Sequence, residues 1–194
     1  MVVKSIMVIV LCYFIGAVPF GVLLGLSFKN SDVRKHGSGN IGATNVLRTY
    51  GFKLGLPTLI LDFGKGILAY YLTEAFGITD FAFTLCGIAV VVGHNWSIFL
   101  NFQGGKGVST TYGFVLASFP IAVGVGIIGF IIIVVLSRYV SLGSLVGSCV
   151  ATISTMVFNA NPYIIITNIC FTVLIFLRHK ENIERLIMGT EKRI

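Results

Sequence analysis

Residues 108–136 read VSTTYGFVLASFPIAVGVGIIGFIIIVVL, an apolar run that contains no charged side chain. A helix needs about 20 apolar residues to cross a bilayer, so this run is too long for one ordinary crossing. Ser118, Phe119 and Pro120 lie near its middle, and a proline interrupts a helix. The run therefore forms either one kinked helix or two helices of about 13 residues, each about 20 Å long at 1.5 Å per residue. With two such short helices, either the membrane thins locally or the helices line a depression filled by polar side chains such as Thr110 and Thr111.

The rest of the chain is also apolar. Of the 194 residues, 56% are apolar and 11% are charged, and the mean hydropathy is +0.95. Because a soluble domain carries about 25% charged residues, we predict a single integral membrane domain over residues 1–194. The further apolar runs are residues 6–28, 56–76, 81–100, 142–158 and 162–177. We expect the first run to be retained as a spanning helix, because no small-residue cleavage site is followed by a polar mature chain.

Most of the charges lie in the connections between these runs. The net charge is +7, from 14 Lys and Arg against 7 Asp and Glu. The basic connections are residues 29–55, 101–107, 137–141 and the tail 178–194. Cytoplasmic connections are rich in Lys and Arg, and all four fall on one side only if residues 108–136 cross twice. We therefore predict an all-α membrane protein, a polytopic bundle of seven transmembrane helices with the N-terminus outside and the C-terminus cytoplasmic.

The first basic connection is dense in glycines and hydrogen-bond donors. Residues 35–48 read KHGSGNIGATNVLR. Glycines let successive backbone N–H groups turn toward one centre, and such a concavity binds anions. An arginine such as Arg48 can grip a phosphate through two parallel hydrogen bonds. We interpret the segment as a phosphate cradle rather than a plain turn, formed by Gly37, Ser38, Gly39, Asn40, Gly42, Thr44, Asn45 and Arg48.

The second basic connection ends in GGKG at residues 104–107, directly before the long apolar run. Backbone amides at a helix start, with Lys106 beside them, favour a second anion site. The segment is not a nucleotide-binding P-loop. That motif needs a glycine where Leu100 stands and a serine or threonine where Gly107 stands. We therefore do not expect nucleotide hydrolysis.

Three features allow both a structural and a functional interpretation. Arg138 either anchors the topology or contacts substrate. Residues 178–185 read RHKENIER, which indicates an amphipathic helix at the membrane surface, with His179 and Asn182 on one face. Within an apolar run, Asp62 and Lys65 are three residues apart and can pair on one helical face. Such a pair either serves function or anchors structure, and the sequence favours neither.

Four motifs occur in order along the chain. They are GSGNIGATN at 37–45, GH at 93–94 with GGKG at 104–107, SRY at 137–139 with Ser141, and RHKENIER at 178–185 with GTE at 189–191. In these motifs the chain resembles the bacterial acyl-phosphate:glycerol-3-phosphate acyltransferase (PlsY) family, nearly from end to end. The resemblance implies transfer of a fatty acyl group from acyl-phosphate to the sn-1 hydroxyl of glycerol 3-phosphate. The products would be 1-acyl-glycerol 3-phosphate (lysophosphatidic acid) and phosphate, in the first step of phospholipid synthesis.

The resemblance also implies that no acyl-CoA, acyl carrier protein, metal or cofactor is needed, and that the substrate's own phosphate takes the hydroxyl proton. The His-x4-Asp motif of another acyltransferase class is absent, because Ile41, Phe99 and Glu184 stand five residues after the three histidines. The four cysteines are isolated within apolar runs, without the paired spacing of a metal site. We expect membrane lipid and the two substrates as partners, no nucleic acid and no obligatory protein partner. The expected location is the bacterial inner membrane, with a cytoplasmic active site.

Site roles follow from the resemblance as hypotheses. Residues Ser38 to Asn45 would grip the acyl-phosphate headgroup. Glycerol 3-phosphate would be held by Arg48, Lys106, Ser141, His179 and Asn182, and the cradle around Lys106 would be shaped by Gly104, Gly105 and Gly107. A transporter of a phosphorylated anion is the alternative. It would need paired broken helices with polar groups at mid-membrane, whereas nearly all charge here lies on one face. A non-catalytic lipid-binding protein would not need two glycine cradles.

Overall fold

The computed structural model describes residues 2–158 and 160–194, which are helical throughout apart from the connections. The α-helices in this part of the chain are α1 (Val2–Ala17), α2 (Phe20–Lys29), α3 (Ala43–Tyr50), α4 (Phe52–Ala75), α5 (Asp80–Asn95), α6 (Val108–Ser118), α7 (Pro120–Ser137), α8 (Val140–Val157), α9 (Pro162–Arg178) and α10 (Lys180–Ile187). Each predicted apolar run contains a helix or two. The predicted surface helix at residues 178–185 corresponds to α10.

Prolines set two of the helix boundaries. The first apolar run is divided at Val18 and Pro19 into α1 and α2, because a proline removes a backbone donor and disfavours helix in the residue before it. The run 108–136 divides at Phe119, and Pro120 opens α7. The prediction of two equal halves is wrong: α6 has 11 residues and α7 has 18. At 1.5 Å per residue, α6 is about 16 Å long and α7 about 27 Å, so only α6 is short.

Within residues 2–158 and 160–194, four helical segments are long and apolar enough to cross a membrane. They are Val2–Lys29, Asp80–Leu100, Pro120–Ser137 and Val140–Val157. A fifth is formed if the pair Pro162–Arg178 and Lys180–Ile187, bent by 61°, counts as one span. By length and composition the described residues thus form an all-helical bundle with four or five apolar spans.

The short helix α6 packs directly on α4. A Cβ atom at Gly113 would lie 1.9 Å from the Phe63 carbonyl oxygen, and one at Gly66 would lie 2.1 Å from the Thr110 carbonyl oxygen. Only glycine allows this approach, which brings α6 close to the polar part of α4. Helix α6 also carries Phe114, whose ring lies 5.4 Å from Phe83 and 5.7 Å from Phe171 between centroids. The start of α6 is therefore held in place by the buried core.

Candidate active site

A cavity of about 440 Å³ lies between four parts of the chain. They are the glycine-rich segment 37–45, called the first loop, the start of α6, the start of α8 and the C-terminal segment 179–192. The predicted residues that line the cavity are Gly37, Ser38, Asn40, Gly42, Thr44, Asn45, Arg48, Lys106, Gly107, Ser141, His179 and Asn182. Gly39, Gly104 and Gly105 are not among the lining residues, and neither is Arg138. The two glycine-containing segments, about 60 residues apart in sequence, therefore share one cavity.

The backbone of the first loop turns at Gly37, which has φ +62°, a conformation that side chains disfavour. A Cβ atom at Gly37 would also lie only 2.2 Å from Asn45 Oδ1. Glycine is needed here for both reasons. The loop therefore closes tightly around the Asn45 side chain.

Asn45 is 3% exposed and organises the first loop. Its Nδ2 group donates toward the carbonyl oxygens of Val33, His36 and Asn40 at 3.2, 3.1 and 2.8 Å. Its Oδ1 accepts a hydrogen bond from the Ser38 amide at 2.9 Å. Because an amide has two N–H groups, these carbonyls use its donors fully. We therefore expect Asn45 to act by shaping the loop and not by donating to an anion.

Several backbone amides of the first loop also have partners inside it. The Ser38 amide binds Asn45, the Gly39 amide binds the His36 carbonyl oxygen, and the Gly42 amide binds Asn40 Oδ1. The hydroxyl groups of Ser38 and Thr44, in contrast, make no hydrogen bond within the described part of the chain and line the cavity. The loop thus offers these hydroxyl groups to a ligand, together with the first amides of α3 at Ala43 and Thr44, which have no acceptor within their own helix.

The second loop, residues 104–107, is held by hydrogen bonds from two sides. The amides of Gly104 and Gly105 donate to the Asn95 and His94 carbonyl oxygens at 3.1 and 2.9 Å. Arg178 donates to the carbonyl oxygens of Gly104 at 3.1 Å and Gly105 at 2.9 Å. These two glycines therefore fix the loop. The first amides of α6 have no acceptor within their own helix, and Val108 and Ser109 line the cavity.

Lys106 follows this fixed segment and lines the cavity. Its Nζ donates to Asn182 Oδ1 at 2.5 Å. The pKa of Lys106 is lowered from 10.5 to about 8, mainly because burial disfavours the charged form, while Glu191 raises it and Arg185 lowers it. The ammonium group is therefore mostly charged at neutral pH and poorly hydrated, a combination that favours strong binding of an anion.

Glu191 joins the C-terminal segment to the site, a contact that the sequence did not predict. Ser141 Oγ and Asn182 Nδ2 donate to Glu191 Oε1 at 2.8 and 2.7 Å, and Arg185 Nε donates to Oε2 at 2.8 Å. Burial opposes ionisation of this carboxyl, but the hydrogen bonds from Arg185, Asn182 and Ser141 outweigh it and lower the pKa of Glu191. The only available signal was its place in the last motif, GTE. Glu191 therefore orients Asn182, which in turn holds Lys106.

His179 is buried between α9 and α10. Its Nδ1 donates to the Ile175 carbonyl oxygen at 2.8 Å. Burial, together with the nearby charge of Lys106, lowers the pKa of His179 to about 4. The ring is therefore neutral at pH 7, and its Nε2 is left as an acceptor. Such an atom suits a substrate hydroxyl better than a phosphate.

Asp62 and Lys65 form the predicted pair, with 2.8 Å between Oδ1 and Nζ and both side chains 3% exposed. Lys65 Nζ also lies 2.7 Å from His94 Nδ1. Asp62 and His94 line the cavity from the side of the bundle. The sequence predicted the pair but not its third member.

The chain is similar over most of its length to known acyltransferases. The family model described as glycerol-3-phosphate acyltransferase matches residues 6–189. The glycerol-3-phosphate acyltransferase of Desulforamulus reducens is 42% identical, over 99% of this chain and 96% of the relative. That of Fusobacterium nucleatum is 38% identical, over 95% of each chain.

Two solved structures have the same fold. The crystal structure of PlsY (YgiH), an integral membrane glycerol 3-phosphate acyltransferase, superposes in its glycerol 3-phosphate form with a TM-score of 0.92 at 36% identity, covering 98% of this chain and 95% of that one. Its lysophosphatidic acid form gives a TM-score of 0.90 at 34% identity over the same shares. The chain thus belongs to the glycerol-3-phosphate acyltransferase family and is an integral membrane acyltransferase.

Proposed function

We propose that this protein transfers a fatty acyl group from acyl-phosphate to the sn-1 hydroxyl of glycerol 3-phosphate, releasing 1-acyl-glycerol 3-phosphate and phosphate. The observation that carries the proposal is the single cavity that joins both glycine segments. One part of its lining is cationic and hydroxyl-bearing. Another part is apolar and is formed by Leu59, Phe130 and Val140, which suits the beginning of an acyl chain. The solved relatives, described with glycerol 3-phosphate and with lysophosphatidic acid, support the acceptor and the product.

The charges around the cavity fit two phosphorylated substrates. Arg48, Lys106, Arg185 and Lys192 line it, and Glu191 is already bonded to Arg185. Two phosphate groups brought together repel one another unless cations lie between them. Donors fixed in advance in a poorly hydrated site stabilise the charge that develops during transfer. We propose that Ser38 and Thr44 contact the acyl-phosphate, and that Arg48, Lys106, Ser141 and Asn182 hold glycerol 3-phosphate.

The proposed reaction needs no protein base. The sn-1 oxygen attacks the acyl carbonyl carbon, a new ester C–O bond forms, and the C–O bond to the leaving phosphate breaks. The hydroxyl proton passes to a phosphate oxygen. With a pKa of about 4, His179 is a weak base at neutral pH, but its neutral ring can accept a hydrogen bond from the attacking hydroxyl and orient it. No metal or cofactor enters this scheme.

A phosphate-release assay tests the proposal. Purified protein in detergent is mixed with acyl-phosphate, with glycerol 3-phosphate, and with both. We expect phosphate release only with both substrates, and no product when acyl-CoA replaces acyl-phosphate. Uptake of glycerol 3-phosphate into sealed vesicles without phosphate release would favour the transporter instead.

The proposed topology has seven spans, an outside N-terminus and an inside C-terminus in the bacterial inner membrane. Helix α4 has 24 residues, about 36 Å at 1.5 Å per residue, which is long enough to cross although it contains Asp62 and Lys65. The short helix α6 would be the fourth span and would lie beside the cytoplasmic cavity. Counting α1 and α2 as one span completes seven with α4 to α9.

We expect the exposed Glu74, near the end of α4, and the exposed Lys35, in the connection that precedes α3, to face opposite compartments. In a cysteine-free background, Glu74→Cys should react with a membrane-impermeant maleimide in intact spheroplasts. Lys35→Cys, next to the first loop, should react only after lysis. Labelling of both positions from outside would rule out this topology.

Arg48→Lys should raise the KM for glycerol 3-phosphate by about tenfold or more, because a point charge cannot replace the two parallel hydrogen bonds of a guanidinium group. Steady-state kinetics with each substrate varied in turn measures the effect. Arg138→Lys is the matched control, since Arg138 is exposed and does not line the cavity. Equal, small effects of both substitutions would contradict a phosphate contact at Arg48.

Affinity for glycerol 3-phosphate should fall as the pH rises through about 8, the pKa of Lys106 in the free protein. Above that pH the ammonium group loses its proton and its charge, whereas a phosphate monoester, with a second pKa of about 6, stays doubly charged. The surrounding charges are Glu191, Arg185, Glu181 and Arg178, of which the arginines keep their positive charge. The pH profile of kcat/KM reports the free-protein pKa.

Lys106→Arg provides the control for this profile. Arginine keeps its charge throughout the accessible range, so the alkaline fall near pH 8 should disappear even if overall activity is lower. An unchanged alkaline limb in Lys106→Arg would assign the fall to another group.

A further inference from the structure

Beneath the cavity, three buried polar side chains form a closed network. Lys65 Nζ contacts Asp62 Oδ1 at 2.8 Å, His94 Nδ1 at 2.7 Å and the Val18 carbonyl oxygen at 3.2 Å. The carbonyl of Val18 lies at the break before Pro19, where the helix between α1 and α2 is interrupted. Lys65 Nζ donates to His94 Nδ1 and to the Val18 carbonyl oxygen. It forms an ion pair with Asp62, whose buried Oδ1 receives no hydrogen bond within the described residues. The network therefore ties α4 to α5 and to the α1/α2 break.

The network fixes the orientation of the His94 ring. Because Nδ1 accepts from Lys65, the neutral ring carries its proton on Nε2. Rotating the ring would leave a buried ammonium donor without a partner, which is costly. The Nε2 edge points at the second loop: a Cβ atom at Gly105 would lie 2.0 Å from His94 Nε2. Gly105 is therefore in direct contact with a ring that cannot move.

Gly105 is also held from its other side and through its backbone. Its amide donates to the His94 carbonyl oxygen at 2.9 Å, and its carbonyl oxygen accepts from Arg178 Nε at 2.9 Å. Lys106, the next residue, carries the ammonium group that reaches Asn182. A displacement of Gly105 would thus be transmitted directly to Lys106. The network also pairs the Asp62 carboxylate with a cation, which reduces its repulsion of a phosphate in the cavity.

We propose that Asp62, Lys65 and His94 form a positioning unit that fixes Gly105 and thereby holds the Lys106 ammonium group at the phosphate end of the cavity. The three residues act through the second loop and do not transfer protons themselves. The inference rests on the proposed function only in assigning a phosphate to Lys106. The position of Lys106 can be measured without any substrate.

The first test uses His94→Leu, which keeps a side chain of similar size but cannot accept from Lys65. Purified protein in detergent, without substrates, is treated with an amine-acylating reagent over a range of pH, and modification of Lys106 is quantified by peptide mass spectrometry. The wild-type midpoint should lie at about 8. In His94→Leu, water should reach the loosened loop, and the midpoint should rise by about one pH unit or more. The Kd for glycerol 3-phosphate, measured by calorimetry, should rise about tenfold.

A second variant, Asp62→Asn with Lys65→Met, removes both charges together and avoids leaving one buried charge unpaired. It should shift the pH midpoint of Lys106 acylation in the same direction as His94→Leu does. Thr84→Val is the matched control, because Thr84 is equally buried on α5 but contacts Thr167 and Tyr163, outside the network. It should leave the midpoint and the Kd unchanged.

Folded variants with the wild-type midpoint and Kd would overturn the proposal. Failure of both variants to fold would overturn it as well, since the network would then be a requirement of the bundle. If wild-type protein binds no glycerol 3-phosphate, the proposed function fails, and the labelling midpoints still decide whether the network positions Lys106.

Discussion

Lys106→Ala should lower acyl transfer by about a thousandfold, in the upper range for removal of one charged donor from a preorganised site. Lys106 lines the cavity, donates to Asn182 and is poorly hydrated. Its charge is therefore little screened, and a water molecule cannot replace it fully. Alanine also relieves the cost of burying an ammonium group. We therefore expect the folded protein to be recovered in full, with a thermal midpoint equal to or above that of the wild type.

The measurement is phosphate release with both substrates saturating, together with size-exclusion and thermal unfolding profiles in detergent. Lys53→Ala is the matched control, because it removes the same charge from an exposed position on α4. It should change turnover less than about twofold, as is usual for exposed substitutions. Turnover close to that of the wild type in Lys106→Ala would remove Lys106 from the mechanism.

The sequence predicted the arrangement of the molecule better than its internal contacts. Hydropathy located the apolar runs because each spanning helix must satisfy its own backbone groups and present apolar side chains to lipid. The asymmetry of Lys and Arg then predicted that the basic connections lie on one side, and eight residues between Gly37 and Arg48 line one cavity together with Lys106 and Gly107. The exact helix breaks were harder. In the run 108–136, Pro120 indicated the break itself, but two helices of about equal length were expected, whereas α6 has 11 residues and α7 has 18.

Hydrogen-bond partners within the site could not be predicted because they depend on the path of the chain. A glycine-rich segment indicates that amides are available, but not whether nearby carbonyls take them. The amides of Gly104 and Gly105 bind the end of α5. Glu191 reaches the site only because the chain returns after α10. Such contacts join residues distant in sequence, for which a single sequence carries no pairing signal.

Asn45→Asp is expected to weaken the binding of acyl-phosphate strongly, although the structure assigns Asn45 no free donor for it. The substitution keeps the shape of the side chain and the acceptor for the Ser38 amide, but it replaces both N–H groups with an oxygen. The carbonyl oxygens of Val33, His36 and Asn40 would then face a carboxylate instead of a donor. Leaving a buried acceptor unpaired costs about 1–3 kcal/mol, and the added negative charge repels them further. The first loop should therefore open and withdraw the Ser38 and Thr44 hydroxyl groups from the cavity.

The expected result is a loss of turnover of about a hundredfold or more, with the larger change in the KM for acyl-phosphate. Proteolysis should reveal the opened loop: residues 36–42 should become susceptible in the variant and not in the wild type. Asn40→Asp is the informative comparison, because Asn40 uses its Oδ1 to accept from the Gly42 amide and an aspartate can do the same. Asn40→Asp should therefore keep the loop closed. If Asn45→Asp also keeps it closed and binds acyl-phosphate normally, the Asn45 amide does not organise the loop.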